Sequence, residues 1–373
     1  MRSSKTTISA FDQQLVLADG VVLTSRFWSP AGPGPWPTLL MRQPYGRAIA
    51  STVTAVHPKW WASQGFLVVV QDVRGQGDSG GVFKGFSQEA NDTAATLEWV
   101  RSQPECNGRI GLYGFSYQGL TQLVAAPGTP PPDCLAPAMT GLHERDHWSC
   151  EGGAHWWHLG LGWGLQLAAQ QARRRGDAST WEEIRRCLEE NRYCRDGLAL
   201  LRRHDPNSMV LGWLERDPQQ HSAWTCHEPP DGWLRQPMLL LGGWWDPHLR
   251  GILDLHQRSL AAGGQPDLHI GPATHLNWWP EAQQLQLTFF KRHLCPDAPP
   301  SSDHDGRPKA PCVMLWDQRL ESWSNVAPGR SAGDRWRLSG TSLACFDPGD
   351  GQLSPVSLPP SPKESSGEVV IVH

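Results

Sequence analysis

The sequence contains no stretch of eighteen apolar residues, no Cys-x-x-Cys pair, no His-Glu-x-x-His and no basic block longer than Arg173-Arg174-Arg175. The first absence excludes a membrane-spanning helix. The second removes the zinc-knuckle pattern, and nine cysteines, an odd count, do not suggest a disulfide framework, so reduced and mostly buried thiols are expected. Lys plus Arg is 33 against 37 Asp plus Glu, a formal net charge of −4, which argues against nucleic acid as a partner. Residues 1–20 lack an apolar run between a basic end and a cleavage site, so a cytoplasmic chain is expected. The four histidines His143, His147, His155 and His158 lie among aromatic and small residues, which favours packing or pocket lining over a metal. No metal and no cofactor are expected.

What is abundant is turn chemistry and tryptophan. The 38 Gly and 32 Pro mark a chain of many short elements, and 373 residues leave room for two or three domains. Asp19-Gly20 sits between the extended runs Gln13 to Leu17 and Val21 to Phe27, as in a tight hairpin. Thr38 to Met41, Phe66 to Val70 and Arg109 to Tyr113 are short apolar runs suited to strands covered on both faces. A helical pattern led by Ser87, with Ala90, Ala94, Leu97 and Val100 inward, precedes the third run. Strand, helix, strand implies a parallel sheet.

From 141 to 232 the pattern is helical, with Ser179-Thr180-Trp181-Glu182 as a capping box and Asp205-Pro206 as a helix start. The alternation resumes with a strand at Met238 to Leu241, a helix from about His248 to Leu260, a strand at Leu268 to Ile270 and a helix opening at Pro280. Beyond a Pro- and Ser-rich linker the runs at Cys312 to Leu315, Arg335 to Leu338, Leu343 to Phe346 and Glu368 to Val372 read as strands. The expected organisation is therefore a core in two parts, 1–140 and 233–296, a helical cap at 141–232, and a β-rich unit at 310–373.

The sharpest local signal is Gly114-Phe115-Ser116-Tyr117-Gln118-Gly119, a Gly-flanked serine between a strand and a helix opening near Leu120. Such a sharp turn keeps a serine hydroxyl exposed for nucleophilic attack. Alone, G-x-S-x-x-G describes an ordinary Gly-rich turn equally well. A serine nucleophile needs a base and a carboxylate, and in α/β-hydrolases the chain order is Ser, acid, His. Asp246 and His275 each lie just beyond the C-terminal end of a strand, where open α/β sheets place their sites. Asp254 and Asp267 compete as the acid but fall inside a helix and ahead of a strand. The G-x-G within Gln71 to Gly81 lacks a phosphate-loop Lys, so Asp72 and Arg74 read as structural.

With these motifs in order, the chain resembles the cocaine esterase and X-prolyl dipeptidyl-peptidase group of α/β-hydrolases, which includes α-amino-acid ester hydrolases. The matching segments are Asp19-Gly20-Val21, Arg42-Gln43-Pro44-Tyr45, Gln71 to Gly81, Gly114 to Gly119, Gly243-Trp244-Trp245-Asp246 and Gly271 to His275. The group's elbow reads G-x-S-Y-x-G, so the displaced second glycine fits it. The resemblance implies an α/β-hydrolase core, a helical cap and a C-terminal β jelly roll. With 64 residues from Ala310 onward, that last domain reads as truncated, its final apolar strand an edge open to aggregation or to pairing with a partner, and a homo-oligomer is among the expected partners.

The resemblance also implies roles: Ser116 as nucleophile, His275 as base, Asp246 as its orienting acid, and an oxyanion hole from the Tyr45 hydroxyl and the Tyr117 N–H at a helix start. Eight of the twenty Trp fall between Trp148 and Trp233. Trp148, Trp156, Trp157, Trp245 and Trp278 are expected to line a pocket for a bulky apolar acyl group. The expected substrate is a small-molecule carboxylic ester cleaved through an acyl-enzyme. Amides, as for an X-Pro dipeptidyl-peptidase or an acylase, are the alternative. Members acting on α-amino esters place extra carboxylates near the acid, whereas Asp246 is followed by Pro247, His248 and Leu249, which favours ordinary esters. A non-catalytic binding protein that keeps the fold is the remaining reading.

Overall fold

A computed structural model describes residues 7–49, 56–295, 312–326, 342–346 and 353–357, the last two as backbone only. Residues 1–325 form one compact unit and 326–373 a second.

The chain opens with the hairpin β1 (Ser9–Val16) and β2 (Val22–Ser29), closed by Asp19-Gly20. It continues through β3 (Trp36–Gln43), α1 (Pro58–Ser63), β4 (Leu67–Asp72), α2 (Glu89–Arg101), β5 (Cys106–Phe115), α3 (Tyr117–Leu120) and β6 (Cys134–Ala138). A small hairpin, β7 (Cys150–Glu151) and β8 (Ala154–His155), leads into the helices α4 (Trp157–Arg174), α5 (Ala178–Glu189), α6 (Tyr193–His204) and α7 (Met209–Glu215). Then come β9 (Leu239–Trp245), α8 (Leu249–Ala261), β10 (Asp267–Thr274), α9 (Ala282–Leu294), β11 (Val313–Asp317) and β12 (Ser322–Asn325). The second unit contributes the antiparallel pair β13 (Ser342–Phe346) and β14 (Leu353–Ser357).

The main sheet has ten strands in the order β1-β2-β4-β3-β5-β6-β9-β10-β11-β12, parallel from β4 through β11 and antiparallel at both edges. Its central strands, such as β4 and β6, are buried on both faces, as continuous apolar runs require, while the edge strand β1 is largely exposed. In β4, Val68 and Val70 belong to the apolar core on one face of the sheet, which includes Trp61 of α1 and Phe290 of α9, while Leu67 and Val69 belong to the core on the other face, which includes Leu97 of α2 and, farther along the sheet, Ile252 of α8. The helices α4 to α7 close around their own core of Leu161, Leu165, Ile184, Leu201 and Val210.

Several expectations are corrected. β6 escapes a reading by apolar runs because it contains Pro137. Leu135 and Met139 donate to the carbonyls of Pro237 and Leu241 on the β9 side, and the proline between them has no N–H to give. The inner face of α2 carries Glu89, Asp92, Thr93 and Thr96 rather than Ala90 and Ala94, because the buried Arg42 and the partly buried Arg74 supply partners for the acids. The cap of α5 is Asp177, which accepts from Thr180 N, not Ser179. The helix after Asp205-Pro206 starts at Met209, capped by Ser208. The 141–232 segment also holds the β7–β8 hairpin and a π-helical turn at Glu144–Ser149.

The unit expected at 310–373 is divided. β11 joins the main sheet alongside β10, with Val313 and Leu315 packed on the core beneath α8, and β12 folds back on it. The expected strands at Arg335 to Leu338 and Glu368 to Val372, and with them the pairing edge, lie outside the described residues. Among the described residues, no helix is long and apolar enough to cross a membrane, and the eight described cysteines are free.

Candidate active site

Ser116 stands between the last residue of β5 and the first of α3 with φ 59° and ψ −128°, a conformation that non-glycine residues rarely take. Its N–H donates to Ala138 O at 2.9 Å, which ties the turn to the neighbouring strand β6. The two flanking glycines have separate reasons. Gly114 has φ 132°, and a Cβ there would lie 2.5 Å from Cβ of Gln118. A Cβ on Gly119 would lie 2.7 Å from Cγ2 of Thr140, so α3 can rest on the segment after β6 only with glycine at that position. The third-residue spacing of the second glycine thus follows from what α3 packs against.

Two further loops meet this turn. Asp246 follows the end of β9, its side chain fully buried, and His275 follows β10. His275 Nδ1 and Asp246 Oδ2 are 2.5 Å apart, and the other carboxylate oxygen accepts the His248 N–H at 2.8 Å. With Nδ1 committed to the carboxylate, Nε2 is the nitrogen left for a reacting group. The His275 ring lies 5.4 Å from the Phe115 ring, and the Trp278 indole N–H reaches the His275 carbonyl at 3.3 Å. Asp254 lies within α8, bonded to Arg258, and Asp267 accepts from Cys312 N, so neither reaches His275.

Tyr45 follows β3. Its N–H donates to Gln43 Oε1, which also accepts from Gln118 of the elbow helix. Its hydroxyl accepts the Trp163 indole N–H at 3.0 Å and lines the same cavity as Ser116. Burial raises the pKa of this hydroxyl to about 12, against the lowering influence of the Trp163 N–H and the nearby Ser116 side chain, so it stays a proton donor at neutral pH. Tyr117 opens α3, so its N–H belongs to the helix-start donors with no intrahelical acceptor. The helix begins three residues earlier than the sequence suggests and is one turn long, which leaves little dipole to add to that donor. The Tyr117 side chain points away from the cavity: its hydroxyl donates to Glu89 Oε1 at 2.8 Å, and Glu89 pairs with Arg42 at 2.5 Å.

Ser116, Tyr45 and His275 line one cavity of about 700 Å³ between the sheet's C-terminal edge and helices α4, α6 and α7. Of the aromatics expected there, Trp148 and Trp245 line it, Trp245 at the rim with 56% exposure. Three do not. Trp156 lies behind His248, with ring centres 5.9 Å apart, and Trp157 turns outward to bond the Cys194 carbonyl. Trp278 packs edge-on against Phe115 beneath the His275 loop. Trp163, Trp213, Tyr193 and His248 line the cavity without having been singled out, and of the four histidines read as packing or pocket residues His158 lines it. The available signal for Trp163 is Gly160-Leu161-Gly162-Trp163-Gly164, where a Cβ at position 164 would meet Leu201 at 3.0 Å, so α4 lies close on α6 and α7.

Among the described residues, none that lines the cavity is Asp, Glu, Lys or Arg. His248 Nδ1 donates to the His147 carbonyl at 2.6 Å, and burial lowers the His248 pKa to about 4, so its ring is neutral. Among the described residues no group of three or more His, Cys, Asp or Glu is placed to hold a metal ion.

A mostly parallel sheet flanked by helices, with a serine on a strand-to-helix turn and a His and Asp on later strand ends, defines an α/β-hydrolase. Residues 19–277 match the family model described as X-Pro dipeptidyl-peptidase (S15 family), and the chain belongs to that family. It is 26% identical over 375 residues to the cocaine esterase of Rhodococcus sp. (strain MB1 Bresler), covering 91% of this chain and 63% of that protein. The chain thus spans just under two thirds of the length of this curated relative. A CocE/NonD family hydrolase from Staphylococcus aureus superposes with a TM-score of 0.60 at 18% identity, over 83% of this chain and 53% of that one. An α-amino acid ester hydrolase does so at 0.51 and 19%, over 90% and 61%. At these identities the likeness is one of fold.

Proposed function

We propose that the chain is a serine esterase that cleaves uncharged carboxylic esters with a bulky apolar acyl group. The observation that carries this reading is the cavity lined by both Ser116 and the Asp246-bound His275, whose walls among the described residues are rich in aromatics and carry no Asp, Glu, Lys or Arg.

Ser116 Oγ attacks the ester carbonyl while His275 Nε2 takes its proton. Asp246 holds the imidazole in the tautomer that leaves Nε2 free and stabilises the imidazolium that forms. The carbonyl oxygen, now negative, receives the Tyr45 O–H and the Tyr117 N–H, donors fixed before the reaction begins. His275 returns the proton to the leaving alcohol, a water enters, and the same steps in reverse order release the acid and restore Ser116.

The acyl group lies against Trp148, Trp163 and Trp213, whose rigid rings offer apolar area at small entropic expense. An N-terminal ammonium, as in a dipeptide or an α-amino ester, finds no carboxylate among the described residues of these walls. That supports neutral esters over X-Pro amides. A panel of acetyl, butyryl and benzoyl aryl esters, α-amino aryl esters and Xaa-Pro anilides, each with Ser116→Ala as control, tests the reading. Benzoyl and butyryl esters are expected to give the highest kcat/KM, with no turnover by the variant. Faster cleavage of Xaa-Pro anilides would replace this reading by the peptidase one.

A further inference from the structure

The hydrogen bond between Trp163 and Tyr45 joins the helical cap to the site of charge development. Trp163 belongs to α4, 118 residues beyond Tyr45, and its Nε1 lies 3.0 Å from the tyrosine oxygen. An indole nitrogen has a proton and no acceptor capacity, so the direction of this bond is fixed by chemistry: the indole donates and the phenol oxygen accepts. Two consequences follow for the Tyr45 hydroxyl. One lone pair is occupied on the cap side, which leaves its own proton to be directed to the Ser116 side. The oxygen is also polarised by the incoming donor, which makes its O–H a stronger donor in turn.

The indole is held for this purpose. Its ring stacks on Trp148 at 5.9 Å and 24°, stands edge-on to Tyr117 at 6.4 Å, and lies 5.9 Å from Trp213. Tyr117 is anchored from below by Glu89. The same aromatic cluster therefore fixes the indole, the elbow helix and the cap.

We propose that Trp163 is a positioning residue that orients and polarises the Tyr45 hydroxyl for the oxyanion, so that the cap helix completes the catalytic machinery as well as walling the cavity. The inference rests on the reading of Tyr45 as an oxyanion donor and extends it to a residue of a different layer.

A double-mutant cycle on the full chain tests it, with 4-nitrophenyl benzoate as substrate and kcat normalised to sites titrated by a fluorophosphonate. Tyr45→Phe is expected to lower kcat about a hundredfold. Trp163→Phe is expected to lower kcat about three- to tenfold in the wild-type background and to change it less than about twofold in the Tyr45→Phe background, because its effect passes through the missing hydroxyl. Equal falls in both backgrounds, or a rise in KM alone, would overturn the inference and leave the oxyanion reading standing. An unchanged kcat in Tyr45→Phe would overturn both. Should Trp163→Phe not fold, the benzothiophene analogue of tryptophan at position 163 keeps the ring and removes only the N–H, with the same two outcomes.

Discussion

The imidazoles of His248 and His275 lie 5.0 Å apart, ring centre to ring centre, yet only one of them faces a carboxylate. His275 Nδ1 meets Asp246 Oδ2, whereas His248 Nδ1 donates to the neutral His147 carbonyl. The pair is thereby divided into an imidazole beside a counter-charge and a neighbour that stays neutral, so that in the proposed mechanism no second positive charge opposes an imidazolium at His275.

This division carries a stability signature. The folded pKa of His248 is lowered by burial to about 4 from an ordinary 6.5. Between those values the unfolded chain binds a proton that the folded chain refuses, so this residue's contribution to stability falls as pH drops from 6.5 and levels off below 4. His248→Asn removes that contribution. Urea unfolding at pH 7 and pH 5 is expected to show a pH-dependent loss smaller by about 1–2 kcal/mol in the variant. An equal loss in both proteins would contradict the neutral assignment.

Asp246→Asn keeps the shape of the carboxylate but presents an amide to His275 Nδ1, which favours the wrong tautomer. A fall in kcat of about 10³–10⁴-fold is expected, with KM little changed. Steady-state kinetics on a benzoyl ester measures both. A variant within tenfold of wild type would assign the orienting role elsewhere.

Gly119→Ala tests the account of the elbow. Its methyl group would stand 2.7 Å from Thr140 Cγ2 and 3.1 Å from Ala138 O, so α3 must shift away from β6 and carry Ser116 and the Tyr117 N–H with it. Overpacking of this kind costs about 1–3 kcal/mol, and kcat is expected to fall along with thermal stability. A fully active, equally stable variant would show that the close approach is not required.

The wall of the cavity predicts acyl selectivity. Trp148→Ala is expected to lower kcat/KM for benzoyl esters by about tenfold or more and for acetyl esters by less than about threefold, since only the larger group reaches that ring. Equal losses for both would remove Trp148 from the acyl pocket.

Much of this site is legible in the sequence because its residues sit at strand ends. Ser116, Asp246 and His275 each follow a short apolar run, and such runs announce buried parallel strands and their loops together. Lateral relations are harder to read. Which face of α4 meets Tyr45 depends on how the cap settles over the sheet, so Trp163 passes for one aromatic among many, while Trp156, Trp157 and Trp278 count for more than their places warrant. Pro137 hides β6, because proline argues against a central strand unless the neighbour that would receive its N–H is known. The buried polar face of α2 becomes intelligible once Arg42 and Arg74 are seen beneath it. The placement of β11 in the main sheet follows from parallel pairing with β10 across a linker, which no local pattern encodes.

The central claim is a covalent acyl-enzyme on Ser116. It is tested most directly by mixing the chain with 4-nitrophenyl benzoate, quenching in acid within the burst of product release, and determining by peptide mass spectrometry where a benzoyl group resides. The account predicts one benzoyl group on the peptide carrying Ser116, absent from Ser116→Ala and formed far more slowly in His275→Ala, which lacks the base for the serine proton. A burst with no adduct at Ser116, or an adduct that survives in Ser116→Ala, would contradict it.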